Sequence, residues 1–130
     1  MTAVCGKIEA ELAELSPEEQ KEYLASFGLP GSSLDRLVHA MYRLLGLMSF
    51  LTAGETEVRA WTIPVHSTAL KAAGAIHSDF EKKFIRAEVV PWQALVEHGG
   101  YAGVREKGLL RLEGKDYIVK DGDVLVIRHG

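Results

Sequence analysis

The chain has 130 residues, of which 47% are hydrophobic and 25% are charged, and its net charge is −3. This length suits one ordinary domain or a small domain with an appendage. The longest apolar runs are far shorter than the ~20 residues that a membrane span needs. Residues 1–46 carry four Lys/Arg and seven Asp/Glu, whereas residues 47–130 carry eleven of each. Because neither part is strongly basic, binding of nucleic acid would depend on a local patch, and a duplex-binding protein is disfavoured.

The first third of the chain has helical periodicity. Apolar residues at i, i+4 and i+7 predict a helix over 7–15. Ser16 and Glu19 have the spacing of a capping box and predict a second helix that ends near Phe27. A third helix is predicted after Ser32, and its apolar stripe is too broad for a solitary surface helix. This stripe predicts a packing partner or weak self-association; its residues are Leu34, Leu37, Val38, Met41, Leu44 and Leu45.

From Leu47 the hydrophobic period changes from 3.6 to 2. Strands are predicted over 47–53 and 57–63, followed by a helix over 68–76 and a short turn capped by Ser78. Because side chains alternate along a strand, Arg59, Trp61 and Ile63 are predicted to share one face of the second strand.

A strand is predicted over 84–90, with Ile85, Ala87 and Val89 inward and Arg86 and Glu88 outward. Short helices over 91–96 and 101–107 and strands over 109–112 and 117–119 follow. The last strand, 124–128, is the most apolar and is predicted to be central. Together these elements predict an α+β protein, with a helical segment over 1–45 and a β-grasp (ubiquitin-like) domain with a mixed sheet over 46–130.

The sequence offers little catalytic chemistry. It contains no G-x-x-x-x-G-K-[ST] phosphate loop, so the chain by itself is not expected to be an enzyme. Its five histidines lack H-x-x-x-H and H-x-H spacing, and no metal ligand is assigned. Cys5 is the only cysteine; it is expected to be a buried hydrophobe, and a single thiol fits a reducing compartment. His77 and Asp79 could form an acid/base pair, but a structural role in the following turn is the preferred interpretation.

A binding patch is the more plausible kind of site. Arg59 and Trp61 share a strand face, and cations can contact phosphates while an aromatic ring stacks on a base. The competing interpretation is that Trp61 belongs to the core and that the charges form an ordinary solvated face. The candidate residues for RNA or ribosome binding are Arg59, Trp61, Lys71, His77, Lys82, Lys83 and Arg86.

Several motifs carry a family resemblance. Residues 76–90, with His77, Asp79 and Phe80, resemble the central signature of TGS domains, which are small β-grasp modules. The segments 50–54, 57–63, 112–119 and 121–124 closely resemble the YchF, or Obg-like ATPase, family. Two features depart from that family: Lys83 replaces a common small residue, and residues 126–130 lack the usual terminal aromatics.

The resemblance implies the C-terminal region of a P-loop ATPase or GTPase. ATP or GTP with Mg would bind in a G domain that precedes residue 1, and residues 1–45 would be the tail of that domain. No cofactor is implied for the chain itself. The implied partners are the ribosome or RNA and the parent's own G domain, without DNA specificity, in the cytoplasm. Two alternatives remain: a protein-interaction module, and a β-grasp module that senses a small ligand.

Overall fold

A computed structural model describes residues 3–130 of the chain. The chain separates into two compact units, one that ends at Leu45 and one that comprises Gly46–Gly130. Among the described residues, no helix is both long enough and apolar enough to cross a membrane.

The first unit contains three helices in its described part: α1 (Gly6–Leu12), α2 (Pro17–Ser26) and α3 (Ser33–Leu45). The predicted capping box of α2 is confirmed, because Ser16 Oγ accepts the Glu19 N–H at 3.3 Å and Glu19 Oε2 accepts the Ser16 N–H at 2.9 Å. α1 ends three residues before the predicted limit. The Gln20 side-chain amide donates to the carbonyls of Leu12 and Leu15, which satisfies the backbone where the helix stops.

One side chain connects α1 to the start of α3. The Glu9 carboxylate in α1 accepts the N–H of Ser33 at 2.8 Å. This hydrogen bond, together with the Ser33 side chain and the Arg36 charge, lowers the pKa of Glu9. The apolar stripe of α3 stays exposed, from 42% for Leu37 to 87% for Leu44. The apolar stripe of α3 is therefore uncovered in this unit, and its packing against a partner stays a prediction.

The second unit is built on one mixed sheet. Its elements are β1 (Leu47–Ala53), β2 (Val58–Pro64), α4 (Ala69–Ile76), α5 (Ser78–Lys82), β3 (Phe84–Pro91), α6 (Trp92–Glu97), α7 (Tyr101–Glu106), β4 (Arg111–Glu113) and β5 (Asp123–His129). The strand order is β2-β1-β5-β3-β4, with β1 and β5 parallel and the other neighbours antiparallel. The predicted α+β class, mixed sheet and central last strand are confirmed.

Each face of the sheet has its own core. On the face that we call the α4 face, Phe50, Ala87 and Leu125 pack with the buried alanines of α4. On the opposite face, which we call the α7 face, Val90 and Val124 pack with Val104 of α7. The small side chains of α4 allow this helix to lie close to the sheet, since alanine adds little bulk at the contact.

Two predictions for β3 are wrong. Ile85 is 60% exposed, because the register of β3 against β5 shifts between Phe84 and Arg86 and leaves Ile85 as the extra residue of a bulge. Glu88 is only 9% exposed, because its side of the strand is covered by arginines from α7 and β5. The local alternation of polar and apolar residues cannot predict a bulge, and it cannot predict that a helix packs on the second face of the sheet.

The predicted strand over 117–119 is also wrong. In this segment the structure has an isolated bridge between Ile118 and Thr68. The Tyr117 hydroxyl instead donates to the buried carboxylate of Asp123 at 2.7 Å and accepts from Arg111 at 3.1 Å. Burial, with the Asp123 hydrogen bond, raises the pKa of Tyr117. These bonds fix the loop that leads into β5 without a paired strand.

Candidate nucleic-acid interface

Trp61 is anchored by the protein on several sides. The ring is half-buried on the α4 face and stacks on Phe50, with a centroid distance of 6.4 Å and an interplanar angle of 15°. Its Nε1 donates to Thr52 Oγ1 at 2.9 Å. The Arg59 guanidinium carbon lies 4.2 Å from the ring centroid, in a cation–π contact. A nucleotide base could therefore reach that side of the ring only by displacing Arg59.

The turn at the signature is held by His77. Its Nδ1 accepts the N–H of Asp79 at 3.1 Å and caps α5, so the prediction that Ser78 is the cap is wrong. His77 is the extended residue that precedes the helix, whereas Ser78 already belongs to the helix. His77 Nδ1 lies 3.8 Å from Asp79 Oδ2, and both side chains are about 60% exposed. This geometry agrees with the preferred structural interpretation of the pair.

Phe80 connects this turn to the end of the chain. Its ring stacks on His129 with a centroid distance of 4.5 Å and lies 6.0 Å from the His77 ring. The Gly130 N–H donates to the Lys83 carbonyl at 3.0 Å. His129 thus supplies a ring at the terminus, although the sequence lacks the aromatic residues that the family resemblance leads one to expect.

The structure divides the predicted patch between two faces. Arg59 and Trp61 lie on the α4 face, and Lys71 is exposed on α4 itself. Lys82 and Lys83 are exposed at the C-terminal end of α5, the helix whose N-terminus His77 caps. Arg86 pairs with Arg128 in the β3–β5 register and alternates with the inward Ala87, which places it on the α7 face. Arg86 therefore does not join the other candidates.

The α7 face holds a charged cluster that the sequence did not reveal. Glu88 accepts from Arg128 Nε and Nη2 at 3.2–3.3 Å and from Arg105 Nη2 at 3.5 Å. Arg128 could have been noticed as a charge inside an apolar strand. Arg105 could not, because its approach depends on how α7 packs on the sheet.

An open groove of about 380 Å³ lies beside Trp61 on the α4 face. The rings of Trp61 and Phe80, Ile76 and the hairpin tip from Thr52 to Glu57 line it. Among its lining residues, Glu57 is the only charged one, and the Thr52 hydroxyl is already bonded to Trp61. A carboxylate at its wall disfavours phosphate, so the groove adds nothing to the case for RNA.

Residues 3–130 contain no group of three or more His, Cys, Asp or Glu that could hold a metal ion.

Cys5 is exposed, so the expectation that it is a buried hydrophobe is wrong. Its position just before α1, the first helix of a small unit, leaves it outside the packed core.

The fold and these surfaces define an α+β protein whose second unit is a β-grasp-like domain with exposed cations on both faces. The family model described as "YchF-GTPase_C: Protein of unknown function (DUF933)" matches residues 47–130. The chain belongs to the YchF, or Obg-like ATPase, family and corresponds to its C-terminal region, as the sequence motifs predicted.

Curated relatives agree over nearly the whole chain. It is 54% identical to "Ribosome-binding ATPase YchF" of Bacillus subtilis and 52% identical to that of Pasteurella multocida, with 96% of this chain and 34% of each relative covered. It is 46% identical to "Obg-like ATPase 1" of Caenorhabditis elegans over 95% of the chain and 31% of the relative. The YchF GTPase structure of Schizosaccharomyces pombe matches 96% of this chain and 33% of its own, with a TM-score of 0.80 and 32% identity. The chain therefore spans about a third of the length of these relatives.

Proposed function

We propose that this chain is the RNA- or ribosome-facing, regulatory region of a YchF-like P-loop nucleotide hydrolase and that it is not itself catalytic. The observation that carries the proposal is the exposed cationic end of α5 in a chain whose relatives are named ribosome-binding ATPases. Nucleotide, ATP or GTP with Mg, would be bound by the G domain of the parent. We assign the second unit to the TGS type, and with the ribosome as its proposed partner the protein would act in the cytoplasm.

The side chains of Lys82 and Lys83 suit contact with a phosphate backbone. Both are exposed at the C-terminal end of α5, and within the described part of the chain neither forms an ion pair. Ammonium groups contact phosphate oxygens as point charges and read no base sequence. Recognition on this surface would therefore follow the shape and backbone of the RNA.

The apolar stripe of α3 supports the regulatory part of the proposal. Six large apolar side chains on one helix face are at least 42% exposed, and a soluble helix rarely leaves such a stripe uncovered. The G domain of the parent is the proposed cover. A change of nucleotide state could then reach the second unit through α3, which ends directly before β1.

Removal of the two lysine charges tests the proposed surface. In co-sedimentation with ribosomes at low salt, the variant Lys82→Gln/Lys83→Gln is expected to bind about tenfold more weakly, since two exposed ionic contacts contribute ~1.4 kcal/mol together. The matched control is Lys21→Gln/Lys120→Gln, which removes the same charge from exposed positions outside α5 and α7. Equal binding of both variants would contradict the proposed surface, and an absence of binding by the unmodified chain would contradict the proposed function.

A further inference from the structure

Three arginines on the α7 face lie near one buried carboxylate, that of Glu88. Arg105 and Arg128 bond to Glu88, and Arg86 lies on the same face two residues before it, so these three guanidinium groups and this carboxylate have a net charge of +2. Glu88 is the shared acceptor of Arg105 and Arg128, and its side chain is only 11% exposed. Within the described residues, Arg86 forms no ion pair.

The register of the sheet forces two of these charges together. Arg86 and Arg128 are direct partners on β3 and β5, so their side chains leave the same face about 5 Å apart at Cβ. Like charges directly opposite each other are unfavourable in a sheet. The Glu88 carboxylate, two residues along β3 from Arg86, offsets only part of this repulsion because Arg105 shares it.

The donors of the cluster are accessible. The side chains of Arg105 and Arg128 are about half exposed, at 53% and 48%, and Arg86 is exposed. Each guanidinium has five N–H donors, and Arg128 directs only Nε and Nη2 at Glu88. The planar fork of N–H groups matches the oxygens of a phosphate, which it can bind through two hydrogen bonds.

We infer that Arg86, Arg105 and Arg128 form a phosphate-binding site for the RNA backbone on the α7 face, held in place by Glu88. This inference rests on the proposed function and adds a second contact surface, on the side of the sheet opposite Trp61. Glu88 orients two of the arginines and limits the net charge. The anion occupies the position between Arg86 and Arg128 and relieves the repulsion across the strands.

Two substitutions with opposite expected effects test the site, using a short single-stranded RNA and fluorescence anisotropy over a salt series. Arg86→Gln is expected to weaken binding about fivefold and to lower the slope of log affinity against log salt by about 1, since one phosphate contact is lost. Glu88→Gln is expected to tighten binding, because it releases donors of Arg105 and Arg128 and raises the local charge. If Glu88 had only a structural role, the Glu88→Gln variant would not bind RNA more tightly than the unmodified chain. Arg43→Gln, an exposed arginine of α3, is the charge-matched control.

The outcomes separate this inference from the proposed function. If the unmodified chain binds RNA but Arg86→Gln binds with the same affinity and slope, or if Glu88→Gln binds more weakly, the site is wrong and the proposed function stands. If the unmodified chain binds neither RNA nor ribosomes, both fail. Ribosome binding that depends on Arg86 but survives nuclease digestion of the RNA would assign the arginines to an acidic protein and would overturn the RNA assignment.

Discussion

Replacement of Phe50 by alanine is expected to lower the free energy of unfolding of the second unit by about 3–5 kcal/mol, the usual cost of removing a buried aromatic side chain. Phe50 lies in the middle of β1, is fully buried and stacks on Trp61 across the β1–β2 pair. Its loss would leave a cavity between the sheet and α4. Because β1 is paired with β2 on one side and with β5 on the other, little relaxation is expected to fill that cavity.

Chemical denaturation followed by tryptophan fluorescence is a direct measurement of this cost. Trp61 and Trp92, the two tryptophans of the chain, both lie in the second unit. Val58→Ala on β2 is the matched control, since Val58 is 71% exposed and its truncation removes little buried surface. A cost below about 1 kcal/mol for Phe50→Ala would show that this core does not hold the sheet together.

The second large effect is expected at Gly103 in α7. A Cβ atom at this position would overlap the backbone carbonyl of His98, the last residue before the turn between α6 and α7. A backbone atom cannot rotate away as a side chain can, so α7 would have to shift and carry the fully buried Val104 with it. Gly103→Ala is therefore expected to destabilise the second unit by about 3 kcal/mol, the upper end of the cost of overpacking.

The matched control for Gly103→Ala is Gly114→Ala. A Cβ atom added at Gly114 meets no other atom within 4 Å, and this glycine does not have a positive φ. The same chemical change is thus expected to leave the midpoint of denaturation nearly unchanged. Similar midpoints for the two variants would mean that the close approach of α6 and α7 contributes nothing to stability.

Structural features that depend on residues close together in the chain could be predicted from the sequence. The capping box of Ser16 and Glu19 involves residues three apart, and the structure has both of its hydrogen bonds. The strand β1 was predicted with its observed limits, because alternation and the glycine after it are local signals. Hydrophobic periodicity and turn residues predicted the order of the remaining elements and the α+β class, and the family motifs added the resemblance to a TGS domain.

What the sequence could not predict depends on distant residues. Alternation alone predicts that Ile85 points inward. The bulge that exposes Ile85 depends on how β3 pairs with β5, and a single strand does not reveal that pairing. Glu88 was assigned outward because Arg105 reaches it only after α7 has packed on the sheet. Arg86 was grouped with Arg59 by their common charge, whereas the alternation of β3 separates them onto opposite faces.

The role of Trp61 lies between the two interpretations of the sequence. The ring packs on the core and also carries Arg59 on its surface. The cation–π contact with Arg59 and the bond to Thr52 hold the ring in place. Neither contact could be inferred from the alternation of β2 alone.

The most direct test of the central claim is the salt dependence of ribosome binding by the unmodified chain. If phosphate contacts by the lysines of α5 and the arginines of the α7 face lead recognition, log affinity should fall linearly with log salt with a slope of about −2 or steeper. Binding would then weaken about tenfold or more between roughly 50 and 200 mM salt. Binding that stays constant over this range would contradict an RNA-facing surface built on these cations.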